Sequence, residues 1–284
     1  MTISLSHRFF VFLLKLNGGR KILGKQFAKG VSATAAPKPK DMARYGITKT
    51  VFKDLPIWTY AGSDTLIYYL HGGGFVLGFS PLYFAMMGKI AQSSGATLVA
   101  PDYPLPPEAT AMETHGWMRT HFMETVNALK PKLVIIMGDS AGGNLAIGLA
   151  NWVISNGHKA PDKLILLAPW VDLDMSRPDE RLSSGEQLLV PDDLRDAGQR
   201  YAGDMDVRDP LISPLFGDML QLPEIYIFTG DQDPLHPDII KFAAKYPSAT
   251  IDVGEDLPHV YMLMPTKEAK AAFGRIADAV NAGE

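Results

Sequence analysis

Residues 132–144, KLVIIMGDSAGGN, decide the fold. An apolar run ends at Met137 and passes directly into the pattern G-x-S-x-G, after which a helical pattern begins. This arrangement predicts a nucleophile elbow, a tight turn that projects a serine between the end of a strand and the start of a helix. Side chains at positions 138 and 142 would collide in such a turn, so glycine is needed at both. The alternative is a glycine-rich turn that binds phosphate at a helix N-terminus.

A second glycine-rich segment favours the nucleophile elbow. His71-Gly72-Gly73-Gly74-Phe75 follows an apolar run at residues 65–70. Successive glycines let backbone N–H groups approach a ligand without obstruction by a Cβ atom. Together with the N–H of Ala141 they can hold an oxyanion. A glycine triplet alone is often only a flexible loop, but its place after a strand and upstream of the elbow is typical of an esterase oxyanion loop.

A serine nucleophile needs a histidine base and a carboxylate that orients the base. In folds with this elbow both follow the serine in the chain, which leaves His158, His236 and His259. His259 comes after a late strand and a short loop, where it can fold back over the serine, so it is the favoured base. Another late strand is followed by Gly-Asp-Gln-Asp-Pro-Leu, which offers Asp231 and Asp233 as the acid.

From residue 46 onward, short apolar runs alternate with helical patterns. This alternation predicts βαβ units, and therefore an α/β fold with a mostly parallel central sheet and helices on both faces. Residues 30–44 predict a connector. The predicted strands are 48–53, 56–60, 65–70, 96–100, 132–137, 163–168, 225–229 and 250–253. The predicted helices are 82–93, 112–129, 141–155, 191–202, 236–245 and 266–281.

Composition excludes several classes of protein. Of 284 residues, 46% are apolar and 20% charged, which provides a core and excludes a disordered or fibrous chain. The net charge of −4 gives no basic surface for nucleic acid. Cysteine is absent, which excludes disulfides, a thiolate nucleophile and cysteine-ligated zinc. We expect a cytoplasmic protein and leave open whether it forms a homo-oligomer.

The N-terminal region carries apolar residues at helical spacing, namely Phe9, Phe12, Leu13 and Leu16. Such a stripe is most often buried. We therefore expect a helix docked on the protein's own body, in preference to a membrane-surface anchor or a cleaved signal peptide. The apolar run at residues 9–14 is too short to cross a bilayer, so stable membrane insertion is not expected.

The motifs HGGGF, GDSAGGN, GDQDPL and a late LPH, in this order, resemble the hormone-sensitive-lipase-like (bacterial family IV) carboxylesterases of the α/β-hydrolase superfamily. APWVDLD at 168–174 and RDPLISPLFGD at 208–218 extend the resemblance over nearly all of residues 46–280. It implies an α/β-hydrolase fold with a helical cap. The implied catalytic core is 46–171 and 223–284, and the implied cap is 1–45 and 172–222.

The resemblance also implies roles for the site residues. It assigns Ser140 as nucleophile, Asp233 as acid, His259 as base, and the N–H groups of Gly73, Gly74 and Ala141 as the oxyanion hole. The expected reaction is hydrolysis of a small-molecule, short-chain acyl ester through an acyl-enzyme, with no metal and no organic cofactor. The alternatives are an amidase or peptidase on the same fold and a capped binding protein without catalysis.

Apolar residues beside the motifs are candidates for the pocket wall. We expect Phe75 and Trp170 to lie in the substrate pocket. The wider set adds Leu77, Phe79, Leu215, Phe216 and Tyr261. The chain departs from the family pattern at residues 103–108, YPLPPE instead of Y-R-L-A-P-E, and at residues 259–261, HVY instead of H-G-F. Both differences affect the expected pocket wall, so detailed specificity does not carry over.

Overall fold

The structure, a computed structural model, describes residues 3–30, 34–176, 189–218 and 222–283. One twisted sheet forms its centre. The strands are β1 (Ile47–Phe52), β2 (Leu55–Tyr60), β3 (Thr65–Leu70), β4 (Thr97–Pro101), β5 (Leu133–Asp139), β6 (Lys163–Leu167), β7 (Glu224–Gly230) and β8 (Thr250–Gly254). The helices are α1 (Leu5–Leu16), α2 (Gly19–Lys29), α3 (Pro39–Tyr45), α4 (Pro81–Ser94), α5 (Ala111–Leu129), α6 (Ala141–Ser155), α7 (Pro191–Ala202), α8 (His236–Ala243) and α9 (Lys267–Asn281).

The strands follow the order β1-β2-β4-β3-β5-β6-β7-β8. β1 and β2 pair antiparallel, as do β2 and β4, and all later neighbours are parallel. The predicted α/β architecture with a mostly parallel sheet is therefore confirmed. Because the carboxyl ends of parallel strands meet at one edge, the loops after β3, β5, β7 and β8 are brought together there.

Two apolar layers enclose the sheet. Alternate residues of β3 point to opposite faces, so that Tyr68 belongs to one layer and Tyr69 to the other. α5 and α6 contribute Trp117 and Leu145 to the first layer. α4 and α9 pack against each other and supply the second. This packing holds the strand ends, and the loops that leave them, in fixed positions.

The predicted strands and helices are found within two residues of their expected ends. The connector predicted at residues 30–44 is wrong in its second half, where α3 lies. Pro39 occupies the first turn of that helix, a position where proline is compatible with helical structure and does not break it. Tyr45 at its end is buried against Gly88 of α4. α3 therefore packs on the central body.

α1 docks on the protein, but not with the predicted face. His7 is buried, and the Ser4 backbone N–H donates to Glu268 of α9 at 2.7 Å. Phe9, Phe12 and Leu16 are instead exposed, at 63%, 58% and 70%. The prediction that this stripe is buried is wrong, because the face turned inward carries His7. Among the described residues, no helix has both the length and the apolar character needed to cross a membrane.

The long insertion after β6 is partly outside the described residues, at 177–188 and 219–221. Its described part holds α7, as predicted, and a short 3₁₀ helix at Pro214–Phe216. α7 contacts α2, and Arg200 donates to the Phe27 carbonyl oxygen at 2.8 Å. Two segments of the expected cap thus touch each other. The division of the chain into core and cap stays a prediction.

Candidate active site

Ser140 occupies a sharp turn between β5 and α6. Its backbone has φ 51° and ψ −119°, a region that residues with a side chain rarely adopt. Its N–H donates to the Leu167 carbonyl oxygen, and its own carbonyl oxygen accepts from the Trp170 N–H, each at 2.9 Å. Such strain costs about 1–3 kcal/mol and persists only where the surroundings enforce it. The turn thus fixes the serine at the carboxyl end of the sheet.

Close approach of the backbone explains the glycines of the elbow. A Cβ at Gly138 would collide with the Gly142 carbonyl group, and a Cβ at Gly142 would collide with the Leu70 carbonyl oxygen at the end of β3. The start of α6 therefore packs directly on the neighbouring strand. A larger residue at either position would displace Ser140.

The segment after β3 forms a tight turn beside the serine. Gly73 and Gly74 have φ values of 111° and 63°, which only glycine adopts without strain. The carbonyl oxygen of Gly73 accepts from the N–H groups of Val76 and Leu77 at 3.1 and 2.9 Å. Gly73, Gly74 and Ser140 line the same cavity. Ala141 is buried in the first turn of α6, where backbone N–H groups have no partner within the helix.

His259 and Asp233 form a close pair in the loops after β8 and β7. His259 Nδ1 lies 2.7 Å from Asp233 Oδ2, with the carboxylate side chain fully buried and the imidazole 11% exposed. The other carboxylate oxygen accepts from the Leu235 N–H at 2.8 Å. Asp231, the alternative acid, instead accepts from Gln232 at 3.2 Å. The structure therefore brings Asp233, and not Asp231, to the imidazole.

The other two histidines that follow the serine lie elsewhere. His236 begins α8, and its Nδ1 lies 3.4 Å from the Thr229 hydroxyl. His158 is exposed, with its ring against Trp152. Of the three, His259 lines the cavity that Ser140 also lines.

Asp139 connects the elbow to the glycine turn after β3, contacts that the sequence did not indicate. Its Oδ1 accepts from the Tyr69 hydroxyl at 2.6 Å and from the Gly72 N–H at 2.9 Å, and its Oδ2 accepts from the Tyr83 hydroxyl at 2.8 Å. Burial raises the pKa of Asp139, while the two tyrosine hydrogen bonds act in the opposite direction. No sequence periodicity marks these partners, because they come from β3 and α4.

His71 supports the same loop from the other side. Its ring stacks on Tyr103 with centroids 4.3 Å apart, and its Nδ1 lies 2.7 Å from the Gly72 carbonyl oxygen. The Tyr103 hydroxyl donates to the His71 carbonyl oxygen. Tyr103 is the first residue of the segment that departs from the family pattern, so the departing segment still contributes to the geometry of the loop.

A cavity of about 490 Å³ opens over Ser140. Phe10 of α1 and Leu23 and Phe27 of α2 form one wall, and Phe27 lies against Gly74. Leu189 and Leu194 of the insertion also line it. Mostly apolar walls with a few polar groups are typical of sites for small organic ligands. Leu77 and Phe79 of the wider predicted set are among the lining residues.

Phe75 and Trp170 are not among the residues that line this cavity. Phe75 stacks on Tyr201 with ring centroids 3.6 Å apart, and Trp170 donates from Nε1 to the Asp172 carbonyl oxygen at 2.8 Å. Both side chains are buried. Their assignment to the substrate pocket therefore stays a prediction, because proximity to a motif in sequence does not set the direction of a side chain.

Within the described parts of the chain, no three His, Asp or Glu side chains are grouped to hold a metal ion. That the reaction needs no metal or organic cofactor stays a prediction.

Comparisons with known proteins agree with this fold. Residues 67–263 match a family model described as the α/β hydrolase fold. The chain is 34% identical over 226 residues to LipR of Mycobacterium tuberculosis, named as an acetyl-hydrolase, with 78% of this chain and 71% of that protein covered. It is 31% identical to an esterase of Acinetobacter venetianus, covering 68% of this chain and 65% of that protein. The solved structure of EstE7, a hormone-sensitive-lipase homologue from a metagenome library, has a TM-score of 0.82 at 27% identity, with 99% of each chain covered.

Proposed function

This chain belongs to the hormone-sensitive-lipase-like branch of the α/β-hydrolases and is a carboxylic ester hydrolase, and we propose that it cleaves short-chain acyl esters at Ser140. The observation that carries the proposal is the 2.7 Å contact between Asp233 and His259, with His259 and Ser140 lining one cavity. These three residues are the proposed catalytic triad.

The first half of the reaction forms an acyl-enzyme. Because Asp233 accepts the hydrogen on Nδ1 of His259, Nε2 is left unprotonated and takes the proton of the Ser140 hydroxyl. The serine oxygen attacks the ester carbonyl carbon, and the imidazolium that forms is stabilised by the buried carboxylate. His259 then gives its proton to the alkoxide, which leaves as the alcohol.

The oxyanion of each tetrahedral intermediate needs hydrogen-bond donors fixed in advance. We assign this role to the N–H groups of Gly73, Gly74 and Ala141. The first two belong to the tight turn after β3, and the third begins α6, where the helix dipole also favours negative charge. Loss of one such donor typically costs about 10²–10³ in rate.

Hydrolysis of the acyl-enzyme completes the cycle. His259 removes a proton from water, the hydroxide attacks the acyl carbon, and the same proton returns to Ser140 as the carboxylic acid leaves. Atoms and charges balance with water as the only second reactant. No step of this proposed mechanism uses a metal or an organic cofactor.

The size of the cavity favours short acyl groups. Its volume of about 490 Å³ must hold both the acyl and the alcohol portions, and Phe10, Leu23 and Phe27 form its apolar wall. The acetyl-hydrolase named among the relatives is consistent with this choice. A cavity of this size sits in the range typical for small-molecule ligands.

A series of aryl esters of increasing acyl length, measured beside the anilide of the shortest acid, tests the proposal. We expect kcat/KM to be highest for the short esters, to fall as the chain outgrows the cavity, and to be far lower for the anilide. A maximum at long chains would contradict the short-chain assignment. A preference for the anilide would favour the amidase alternative.

Three further expectations remain proposals. We propose that the protein is cytoplasmic. We also propose, on the basis of its net charge of −4, that it does not bind nucleic acid. Whether the protein forms a homo-oligomer is left open. Size-exclusion chromatography with light scattering measures the oligomeric state directly.

A further inference from the structure

α1 has two apolar faces, and only one of them is used by the fold. The inner face carries His7, which is buried, and Phe10, which lines the cavity. The outer face carries Leu5, Phe9, Phe12 and Leu16, which we call the outer stripe. At about 100° per residue these four side chains fall within about 60° of one another around the helix. All four are exposed, Leu5 by 83%.

Four large apolar side chains exposed side by side are unusual on the surface of a water-soluble protein. Single exposed apolar residues are ordinary, but a contiguous row of large ones marks an interaction surface. Ile22 on the adjoining helix α2 is exposed as well. Nothing among the described residues covers the outer stripe.

Positive charge is concentrated in the same part of the chain as the outer stripe. Residues 1–40 contain eight Lys or Arg and no Asp or Glu, whereas residues 41–284 contain 19 Lys or Arg and 31 Asp or Glu. Arg8 on α1 and Arg20, Lys21 and Lys25 on α2 are exposed, and we call them the basic flank. None of the four forms an ion pair within the described residues.

We propose that the outer stripe and the basic flank dock the protein on an anionic lipid surface. A helix with one apolar face and neighbouring Lys and Arg lies in the interface of a membrane, with its apolar side chains among the acyl chains and its cations at the headgroups. Two copies of this chain paired through the same face would bring two basic flanks together, which disfavours a self-complementary interface. The docking is peripheral and involves no membrane-spanning segment.

The position of α1 gives this docking a consequence for the cavity. Phe10, on the same helix, lines the cavity, and so does Leu82, which is half exposed on α4. A lipid surface seated on the outer stripe would therefore contact the same helix that supplies Phe10 to the cavity wall.

Vesicle co-sedimentation tests the proposal independently of ester hydrolysis. We expect the protein to bind vesicles of equal parts phosphatidylcholine and phosphatidylglycerol at least about tenfold more tightly than vesicles of phosphatidylcholine alone, and to be released by high salt. The Phe9→Ser/Phe12→Ser variant should lose at least about tenfold in binding to the anionic vesicles, since two large apolar groups no longer insert. The Arg20→Gln/Lys21→Gln variant should lose the preference for anionic lipid.

The matched control is Val51→Ser/Leu129→Ser, which removes two exposed apolar side chains from other parts of the surface. It should bind vesicles as the unaltered protein does. Hydrolysis of a water-soluble short-chain ester, unchanged in both serine variants, shows that each is folded. Equal binding to both vesicle types, or full binding by Phe9→Ser/Phe12→Ser, would overturn the proposal. The proposal would also be overturned if the unaltered protein is a dimer that does not bind vesicles and Phe9→Ser/Phe12→Ser is a monomer.

Discussion

His259 Nδ1 lies 2.7 Å from Asp233 Oδ2, and this contact joins the loops that follow β8 and β7. The carboxylate is fully buried and its second oxygen is held by the Leu235 N–H. A buried carboxylate with both oxygens engaged fixes the orientation of the imidazole it contacts. In the proposed mechanism, the pair therefore sets which ring nitrogen of His259 takes the proton of Ser140.

Replacement of each aspartate of the GDQDPL segment should show which of the two is the catalytic acid. We expect Asp233→Asn to lower kcat by about 10⁴-fold, because an amide no longer selects the required imidazole tautomer. Asp231→Asn is the matched control and should stay within about threefold of the unaltered protein, since Asp231 contacts Gln232 and not His259. Steady-state hydrolysis of a short aryl ester measures both. Equal losses would remove Asp233 from the triad.

Replacement of the base makes the corresponding comparison between histidines. His259→Ala should abolish nearly all turnover, by about 10⁴-fold or more. His236→Ala should retain most activity, because its ring contacts Thr229 at the start of α8. A larger loss for His236→Ala, with both variants folded by circular dichroism, would contradict the assignment of the base.

Asp139→Asn should impair the chemical step by displacing the glycine turn after β3. The Asn amide can offer only one accepting oxygen where three donors now converge, so the Gly72 N–H or a tyrosine loses its partner. We expect kcat to fall by about 10²-fold with little change in KM, because the displaced turn carries proposed oxyanion donors, which act in the transition state.

Tyr69→Phe and Tyr83→Phe, which each remove one donor to Asp139, should give smaller losses of the same kind. A lower melting temperature with unchanged kcat in Asp139→Asn would show that Asp139 serves only stability.

Phe27→Ala should enlarge the cavity. The Phe27 ring lies over Gly74 and lines the cavity, so its removal opens space beside the acyl group. We expect the optimum of the acyl-chain series to move toward longer chains. Phe216→Ala is the control, because Phe216 is partly exposed and is not among the lining residues. An unchanged profile for Phe27→Ala would exclude α2 from the substrate site.

His115 should make the fold sensitive to acid. Burial, and then the charge of Arg119, lower the pKa of His115 from 6.5 to about 3. Between about pH 6.5 and about pH 3, the imidazole is therefore protonated in the unfolded chain and neutral in the folded chain. The free energy of unfolding falls as the pH drops through this range. Between pH 7 and pH 5, we expect His115→Leu to lose about 2 kcal/mol less free energy of unfolding than the unaltered protein.

Urea denaturation at the two pH values measures this difference. His158→Leu is the control, because His158 is exposed and its replacement should leave the pH dependence unchanged. An identical pH dependence in His115→Leu and the unaltered protein would contradict a neutral buried ring.

The sequence predicted the strands, most helices and the residues of the site loops because these depend on local patterns. Apolar runs between turn residues locate β3 and β5, and the glycines at 138 and 142 report a backbone contact that no other residue permits. α3 was missed because proline within a short polar segment also fits a connector.

What the sequence could not supply was the direction of side chains. Asp139 stood inside the strongest motif, yet its contacts with Tyr69, Gly72 and Tyr83 arise only when β3, β5 and α4 pack together. The same limit applies to Phe75 and to the stripe of α1. Helical spacing identified an apolar face there but could not tell whether it faced the protein.

Ser140→Ala gives the most direct test of the central claim, that this serine is the nucleophile. The measurement is kcat for a short-chain aryl ester, with melting temperature as the check on folding and Ser94→Ala as the matched control. We expect a fall of at least about 10⁴-fold for Ser140→Ala with the fold intact, and unchanged activity for Ser94→Ala. Turnover by Ser140→Ala within tenfold of the unaltered protein would contradict the central claim.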